Sequence, residues 1–560
     1  MLTSEQDNFI KMYERSFREN WELPAITDYG TPNTLTYSRL AAQITRLHLL
    51  YKLSGLKKND KVAVMGRNNC NWVTVYLATV TYGAVIVPIL QDFKPNDAQH
   101  IINHSGSKLL FITDLIWEGM DLELLERVNS VYSLNNFKLI ATRSRKEVTW
   151  GDVEDAFIKA FPKGFSPADV KYAPRANSEV ASINYTSGTT GFSKGVITPL
   201  NALAGNVRYG IQAQLTFKGA RHVTFLPLAH AYGCAFDFLC CLAAGGHTYL
   251  IGRTPSPKIL LQAFAEVKPT IILSVPLILE KIYKKMIVPQ IQKPPISWVL
   301  KVPYLDEIVC SRIREQLIQA FGGEFKQIII GGAPLNPEVE AFLHRIKFPM
   351  SLGYGMTECA PLICFTPYEE GGKLYSCGKA LKDTMEVKIL NPNEEGIGEI
   401  VTRGENTMIG YYKNDSATKE SFTADGWLRT GDLGYIDEDG YVYIKGRNKT
   451  MLLGPSGQNI YPEEIEAKLN NMPYVLESLV IQQEDNSLVA LVCPDYDAID
   501  AMGLDRAALD QAMEQIRHDV NEQIASYEQL KKIKLYPHEF EKTPKKSIKR
   551  FLYTNIEAEL

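Results

Sequence analysis

Along the first two-thirds of the chain, short apolar runs alternate with longer stretches of mixed character. Val62–Met65, Ala84–Leu90, Leu109–Thr113, Ala181–Tyr185, His222–Leu226, Ile271–Val275 and Gln327–Ile330 are mostly apolar and short enough to be buried strands. Trp72–Tyr82 and Leu277–Met286 predict helices between them. Strands alternating with helices predict an α/β chain with largely parallel sheets. Chemistry in such sheets sits at the C-terminal ends of strands, and the Gly- and Thr-rich segments here follow strands. From about Glu386 the pattern changes. Glu386–Leu390, Glu399–Arg403 and Tyr441–Ile444 predict strands joined by Gly, Asn and Asp turns, and hence a smaller β-rich subdomain. Beyond it come a helix at Pro462–Leu469, a hairpin of Ser478–Gln482 and Leu488–Cys493 turning at Glu484-Asp485-Asn486, and an amphipathic helix over Arg506–Ile524. This places a domain boundary near Lys445–Lys449, giving units of residues 1–446 and 447–560.

Composition adds exclusions more than assignments. A chain of 560 residues is too long for one core, and 45% hydrophobic with 22% charged residues is ordinary for a globular protein. The net charge of −4 gives no general pull toward nucleic acid. The basic clusters Lys531–Lys534 and Lys542–Arg550 read as solvated surface. Nine cysteines show no paired C-x-x-C spacing, and Met1–Asn20 is too polar for a leader, so reduced thiols in a cytoplasm are expected. The greasiest stretch, Cys234–Ile251, carries Asp237, His247 and two glycines and does not read as a transmembrane span. Peripheral membrane contact stays open.

The most informative segment is Tyr185-Thr-Ser-Gly-Thr-Thr-Gly-Phe-Ser-Lys-Gly195. It places three glycines and five Ser/Thr hydroxyls within eleven positions, after a predicted strand. Glycines let backbone N–H groups turn inward as an anion nest, and the hydroxyls donate to phosphate oxygens. A Walker loop needs G-x-x-x-x-G-K-[ST]; here Lys194 follows Gly191-Phe-Ser and precedes Gly195, so the spacing excludes it. A polar surface turn is the alternative that composition alone allows.

Taken whole, the segment closely resembles the phosphate loop Y-T-S-G-T-T-G-x-P-K-G of the adenylate-forming superfamily, with Ser193 where proline is usual. This superfamily includes acyl- and aryl-CoA synthetases, peptide-synthetase adenylation domains and luciferases. The resemblance implies nucleotide contacts from Thr186, Ser187, Gly188, Thr189, Thr190, Gly191 and Lys194. It extends in order along nearly the whole chain. Gly331-Gly-Ala-Pro-Leu335 resembles the adenine-binding turn, with Gly332 and Ala333 against the base. Gly353-Tyr-Gly-Met-Thr-Glu358 resembles the Y-G-x-T-E signature. This implies Tyr354 and Gly355 at adenine, Thr357 at phosphate and Glu358 on Mg²⁺. Thr430-Gly-Asp-Leu433 resembles the motif whose aspartate, here Asp432, holds the ribose hydroxyls. Gly446-Arg447-Asn-Lys449 resembles the hinge, with Arg447 near the ribose and Lys449 as pivot, and Gly454–Gly457 the loop lining the thiol tunnel at Gly457. His230 and Tyr232 fall beside the family's carboxylate pocket, where a core histidine is an equally good reading of His230.

One motif departs from the family. Thr543-Pro-Lys-Lys-Ser-Ile-Lys-Arg550 matches T-P-x-G-K-I-x-R, but the position of the catalytic lysine holds Ser547, and Lys546 beside it is the expected substitute. The implied architecture is a large N-terminal α/β domain of two parallel-sheet βα subdomains plus a β-rich subdomain, with a small mobile α+β C-terminal domain. The implied reaction uses ATP and Mg²⁺ to convert a carboxylic acid to acyl-AMP, with Thr186, Glu358 and Lys546 in catalytic roles, then passes the acyl group to coenzyme A. Gly410-Tyr-Tyr-Lys-Asn414 and Asp425–Asp432 look most like medium- and long-chain fatty acyl-CoA synthetases. The aspartate that holds the amine in amino-acid-activating relatives aligns with Tyr232, which disfavours an amino acid. A fatty acyl-AMP ligase that loads a carrier protein, or an adenylate and lipid binder without turnover, are the alternatives.

Overall fold

The computed structural model describes residues 8–186, 194–253, 256–294, 296–299, 302, 305–454, 458–483, 485–543 and 548–553. The largest sheet has eight strands, in spatial order Gly410–Tyr411, Lys194–Pro199, Val180–Thr186, Val85–Ile89, Lys61–Met65, Leu109–Ile112, Ser130–Ser133 and Leu139–Thr142. Its five inner strands, Val180–Thr186 to Ser130–Ser133, are parallel, as their apolar runs predict, and both edges turn antiparallel. The helix Cys70–Tyr82 is buried almost throughout because it lies inside the main hydrophobic core. The Asn69 side chain caps its start, and Gly83 ends it at φ 100°.

A second sheet runs Ile271–Ser274, Gln327–Ile330, Met350–Gly355, Leu362–Phe365 and Lys379–Ala380, parallel in its first three strands and antiparallel thereafter. A third contains Arg221–Thr224, His247–Leu250, Pro24–Asp28 and Thr34–Thr36. The β-rich unit is a four-stranded antiparallel sheet of Met385–Leu390, Gly398–Gly404, Leu428–Ile436 and Val442–Arg447. After the turn at 448–450, apolar residues from Leu452 onward gather in clusters of their own. The expected hairpin is there, Val475–Gln482 against Leu488–Pro494, with Leu530–Leu535 added parallel to its second strand.

Three details differ from the sequence pattern. The helix expected at Leu277–Met286 is α-helical over Pro276–Ile282 and then takes a π-helical turn, Tyr283–Ile287. The wider turn keeps Leu279, Tyr283 and Ile287 buried at four-residue steps. Cys234–Ile251 is likewise a π-helical segment, Cys234–Cys240, then a short helix and the strand His247–Leu250. Its main-chain carbonyls at Leu239 and Leu242 accept from the hydroxyls of Tyr13, Ser16 and Tyr37. In the basic C-terminal segments Lys531, Lys542, Lys549 and Arg550 are not simply solvated: they pair with Asp485, Glu477, Glu541 and Glu466. All nine cysteines are free. No helix among the described residues is long and apolar enough to cross a membrane.

Candidate active site

Thr186 and Lys194, on either side of 187–193, are placed by the sheet. Thr186 and Lys194 face each other as the last pair of an antiparallel ladder, and the Thr186 hydroxyl donates to the Lys194 carbonyl at 3.5 Å. Ser187, Gly188, Thr189, Thr190 and Gly191 lie outside the described residues, as do Gly457, Lys546 and Ser547. Gly195 packs so tightly that an added Cβ would stand 2.9 Å from Ile183 and 3.1 Å from the Tyr185 ring. The Tyr185 hydroxyl lies 2.8 Å from His104 Nδ1, which ties the start of the loop to the helix Pro95–Ser105.

Parallel pairing of Gln327–Ile330 with Met350–Gly355 brings the turn after the first strand, Gly331–Leu335, beside Tyr354 and Gly355. Gly332 sits at φ 90°, a conformation that favours glycine. Gly355 admits no side chain, since a Cβ would meet the Pro361 carbonyl oxygen at 2.2 Å. Tyr232 lies beneath this turn: its ring is 3.4 Å from a Cβ built on Gly331, and its hydroxyl donates to the Ile329 carbonyl at 3.0 Å. His230 accepts from the Tyr232 backbone N–H at 3.4 Å, capping the first turn of the segment that follows. Asp237 is buried, its Oδ1 3.3 Å from His222 Nδ1.

Two polar groups form the centre. In the first, the Tyr354 hydroxyl donates to Asp432 Oδ2 at 2.7 Å, and Arg447 Nε lies 3.0 Å from Asp432 Oδ1. Arg447 reaches it because Asp432 and Arg447 are partners across the antiparallel pair Leu428–Ile436 and Val442–Arg447. Burial pushes the Asp432 carboxyl above the usual carboxylate range; Arg447 and Tyr354 pull it back, and the charges of Glu358 and Glu463 add to the rise. In the second group, the Tyr411 hydroxyl donates to Glu358 Oε1 at 2.8 Å, and Lys194 Nζ stands 4.8 Å over the Tyr411 ring. The turn carrying Thr357 and Glu358 is clamped from three sides. Asn206 donates to the Cys359 carbonyl and accepts from Leu362 N–H, Asn406 donates to the Leu362 carbonyl, and Met408 N–H donates to the Glu358 carbonyl.

Among the described residues no three His, Cys, Asp or Glu side chains cluster to hold a metal by themselves. The donor set suits a cation held by one carboxylate together with substrate phosphates, which is how Mg²⁺ is ordinarily bound. Beyond Arg447 the chain turns over Asn448, Lys449 and Thr450, and Lys449 is exposed. The Thr450 hydroxyl donates to Glu463 at 2.7 Å, Lys445 pairs with Glu464, and Lys284 donates to the Asn470 carbonyl at 2.8 Å, so the segment after the turn packs back on the larger unit. Arg550 holds Glu466 and Glu463, and an isolated bridge joins Lys542 to Ile548.

Sequence spacing brought out Tyr354, Glu358, Asp432 and Arg447 but not Tyr411, Asn206 or Asn406. Tyr411 lies in Gly410–Asn414, a stretch legible as fatty acyl-CoA synthetase-like. Its contact with Glu358 follows from Gly410–Tyr411 pairing as an edge strand with Lys194–Pro199, which no local pattern announces.

Residues 13–412 match the model of the AMP-binding enzyme family. Long-chain-fatty-acid–CoA ligase FadD15 of Mycobacterium bovis is 28% identical over 502 residues, which cover 84% of this chain and 79% of that protein. The peroxisomal long chain acyl-CoA synthetase 7 of Arabidopsis thaliana is 26% identical over 542 residues, 87% of this chain and 73% of that protein. The fold matches ATP-bound MatB from Rhodopseudomonas palustris with a TM-score of 0.76 at 23% identity, over 98% of both chains. It matches o-succinylbenzoate coenzyme A synthetase (MenE) from Bacillus subtilis, in complex with ATP and magnesium ion, with a TM-score of 0.73 at 21% identity, over 97% of this chain and 98% of that one. With a family model spanning most of its length, this chain belongs to the AMP-binding enzyme family, the adenylate-forming superfamily that its motifs resemble.

Proposed function

We propose that the protein is a fatty acid–CoA ligase that works through an acyl-adenylate. The observation that carries this reading is the meeting of Tyr354, Asp432 and Arg447, from three different strands, in one hydrogen-bonded group beside the Glu358 turn. In the first step a fatty-acid carboxylate oxygen attacks the α-phosphorus of ATP, forming the acyl–phosphate bond as pyrophosphate departs. Positioning and cationic charge serve this step better than acid–base chemistry. Asp432 would accept from the ribose hydroxyls, the Tyr354 ring and the Gly332–Ala333 turn would flank the base, and Thr357 would donate to phosphate. Thr186, Lys194 and the loop 187–191 would donate to the phosphates that leave. Glu358 would hold Mg²⁺, which supplies charge neutralisation on the phosphates when bound. Lys546 would add the cation that Ser547 cannot.

In the second step the thiol sulfur of coenzyme A attacks the acyl carbon and AMP leaves, giving the thioester. We assign residues 1–446 to the adenylation unit and 447–560 to a mobile unit pivoting at Lys449, with the loop at Gly457 lining the thiol path. A fatty acid, not an amino acid, is favoured because Tyr232 stands where amino-acid-activating relatives carry the amine-holding aspartate, and its hydroxyl is used on the Ile329 carbonyl. The test is release of AMP from ATP and Mg²⁺ with a panel of fatty acids, with and without CoA. Activity with fatty acids and CoA is expected. Acyl transfer to a carrier protein with CoA inert would overturn the acceptor, and amino-acid-dependent turnover would overturn the acid.

A further inference from the structure

One histidine touches both strands that border residues 187–193. His104 lies in the last turn of the helix Pro95–Ser105, and its ring stacks on that of His100 at 5.8 Å. The hydroxyl of Tyr185, the last residue but one of the entering strand Val180–Thr186, lies 2.8 Å from His104 Nδ1. The ring of Tyr412 meets the His104 ring edge to face at 5.7 Å. The Tyr412 N–H in turn donates to the carbonyl of Gly195, the second residue of the leaving strand Lys194–Pro199, at 2.7 Å. The Tyr412 hydroxyl donates to the Ser105 carbonyl at 3.4 Å, seating this segment on the end of the helix. Lys413 Nζ donates to the His104 carbonyl at 2.8 Å, so the negative end of that helix is met by Lys413. Tyr411, one residue earlier, is the residue that holds Glu358.

This arrangement fixes the protonation state of the histidine. Tyr185 is buried, and burial above all, then Tyr412 beside it, pushes its phenol well above the ordinary range, so its hydroxyl donates. His104 Nδ1 therefore accepts, which only a neutral ring can do. Burial, and after it Lys413 and His100, lowers the His104 imidazole from its usual value. The titratable groups that face it are His100 on its own helix, Tyr185 on the sheet, and Tyr412 and Lys413 after the edge strand Gly410–Tyr411. Lys61 adds a further charge 5.6 Å over the Tyr412 ring. A proton on Nδ1 would set two donors against each other and break the contact.

We infer that neutral His104 is a positioning residue for the nucleotide: it clamps the strands that enter and leave residues 187–193, and acid releases the clamp. The clamp stands on these contacts alone, and only its effect on ATP rests on the function proposed above. Because the folded value is lowered, the contact is present above the ordinary histidine value of about 6.5 and is lost as pH falls through the lower folded one.

Two measurements on the full-length protein test this. The first is hydrogen exchange without nucleotide, at about pH 7.5, in peptides spanning 180–186 and 194–199. His104→Phe and Tyr185→Phe each remove one side of the hydrogen bond and should speed exchange there about two- to tenfold. His104→Asn places Oδ1 where Nδ1 stood, an acceptor that does not titrate, and should exchange as wild type does. The second is the dissociation constant of Mg²⁺·ATP, measured by calorimetry with no acid substrate. It should rise by about the same two- to tenfold in the two Phe variants and be restored in His104→Asn. From about pH 8 to about pH 5.5 the ratio of the wild-type constant to that of His104→Asn should climb, and protonation of ATP itself, common to both proteins, drops out of it. A ratio that stays flat, Phe variants that exchange and bind ATP as wild type does, or His104→Asn that behaves as His104→Phe does, overturns the inference. Wild type that binds no ATP would instead refute the function proposed above, and exchange alone would then decide the clamp.

Discussion

Replacing Tyr411 by Phe removes one oxygen from the site and little else. The ring stays buried, and the contact of Lys194 with its face at 4.8 Å is kept. What goes is the donor 2.8 Å from Glu358 Oε1. Burial above all, and then the charge of Glu358, pushes the Tyr411 phenol well above its ordinary range, so it is a donor at any working pH. A hydrogen bond to a charged group contributes about 1.5–3 kcal/mol. Glu358 is only half-buried, so water recovers part of this, leaving a loss of about 1–2 kcal/mol, or roughly five- to thirtyfold in an equilibrium constant. The loss should fall on the metal requirement, because the hydroxyl fixes the direction in which the carboxylate presents its other oxygen. Half-saturation by Mg²⁺, measured as pyrophosphate release at saturating ATP and acid, should rise by that factor, with kcat at saturating Mg²⁺ changing much less. Mg²⁺-dependent binding of a fluorescent ATP analogue should shift in parallel without turnover. Glu358→Gln separates the two premises, since it removes the charge at unchanged volume. If Glu358→Gln shifts the Mg²⁺ dependence and Tyr411→Phe does not, Tyr411 does not position the carboxylate. If neither shifts it, Glu358 is not the metal's ligand.

Asp432→Ala should raise the KM for ATP, because each hydrogen bond from a ribose hydroxyl to the carboxylate is worth roughly 1.5–3 kcal/mol; an unaltered ATP saturation curve would refute the ribose role. Lys546→Ala should cut adenylation far more than thiol transfer from preformed acyl-adenylate, and Ser547→Lys should raise the adenylation rate. Equal adenylation by wild type and Lys546→Ala would show that the lysine does not substitute. Glu340, buried on the helix Pro337–Arg345, gives a pH prediction: burial raises its carboxyl to about 7, although the Tyr375 N–H at 2.6 Å pulls the other way. With the folded value raised, the native state holds a proton that the unfolded chain has lost, so stability is full below the usual carboxylate range and declines as pH rises through about 7. The slope is at most about 1.4 kcal/mol per pH unit. Glu340→Gln keeps an acceptor for Tyr375 and should flatten the change in Tm between about pH 5 and about pH 8; a profile as steep as wild type would refute the assignment.

What could be read from the sequence was whatever is local. The apolar runs at Val62–Met65, Leu109–Thr113 and Gln327–Ile330 fall on strands Lys61–Met65, Leu109–Ile112 and Gln327–Ile330, because strands buried on both faces must be apolar throughout. The helix Pro462–Leu469 and the hairpin after it were legible for the same reason, their signals being a proline at the first turn and a short polar link. The π-helical turns at Cys234–Cys240 and Tyr283–Ile287 were not, since an extra residue per turn leaves the apolar spacing close to that of an α-helix.

The site divides along the same line. Tyr354, Glu358, Asp432 and Arg447 lie in contiguous motifs whose residue types suit the chemistry. Yet only the structure puts Arg447 on Asp432 and Tyr411 on Glu358, through the strand partners Asp432–Arg447 and Val196–Tyr411, 15 and 215 residues apart in sequence. Arg447 is the last residue of the antiparallel sheet, and the turn after it leads into the segment that carries Lys546. Its guanidinium holds one oxygen of the carboxylate assigned to the ribose, while Tyr354 holds the other. On the proposed function, a nucleotide that takes Asp432 would displace or share Arg447, which would link occupancy of the ribose site to the turn that begins at residue 448.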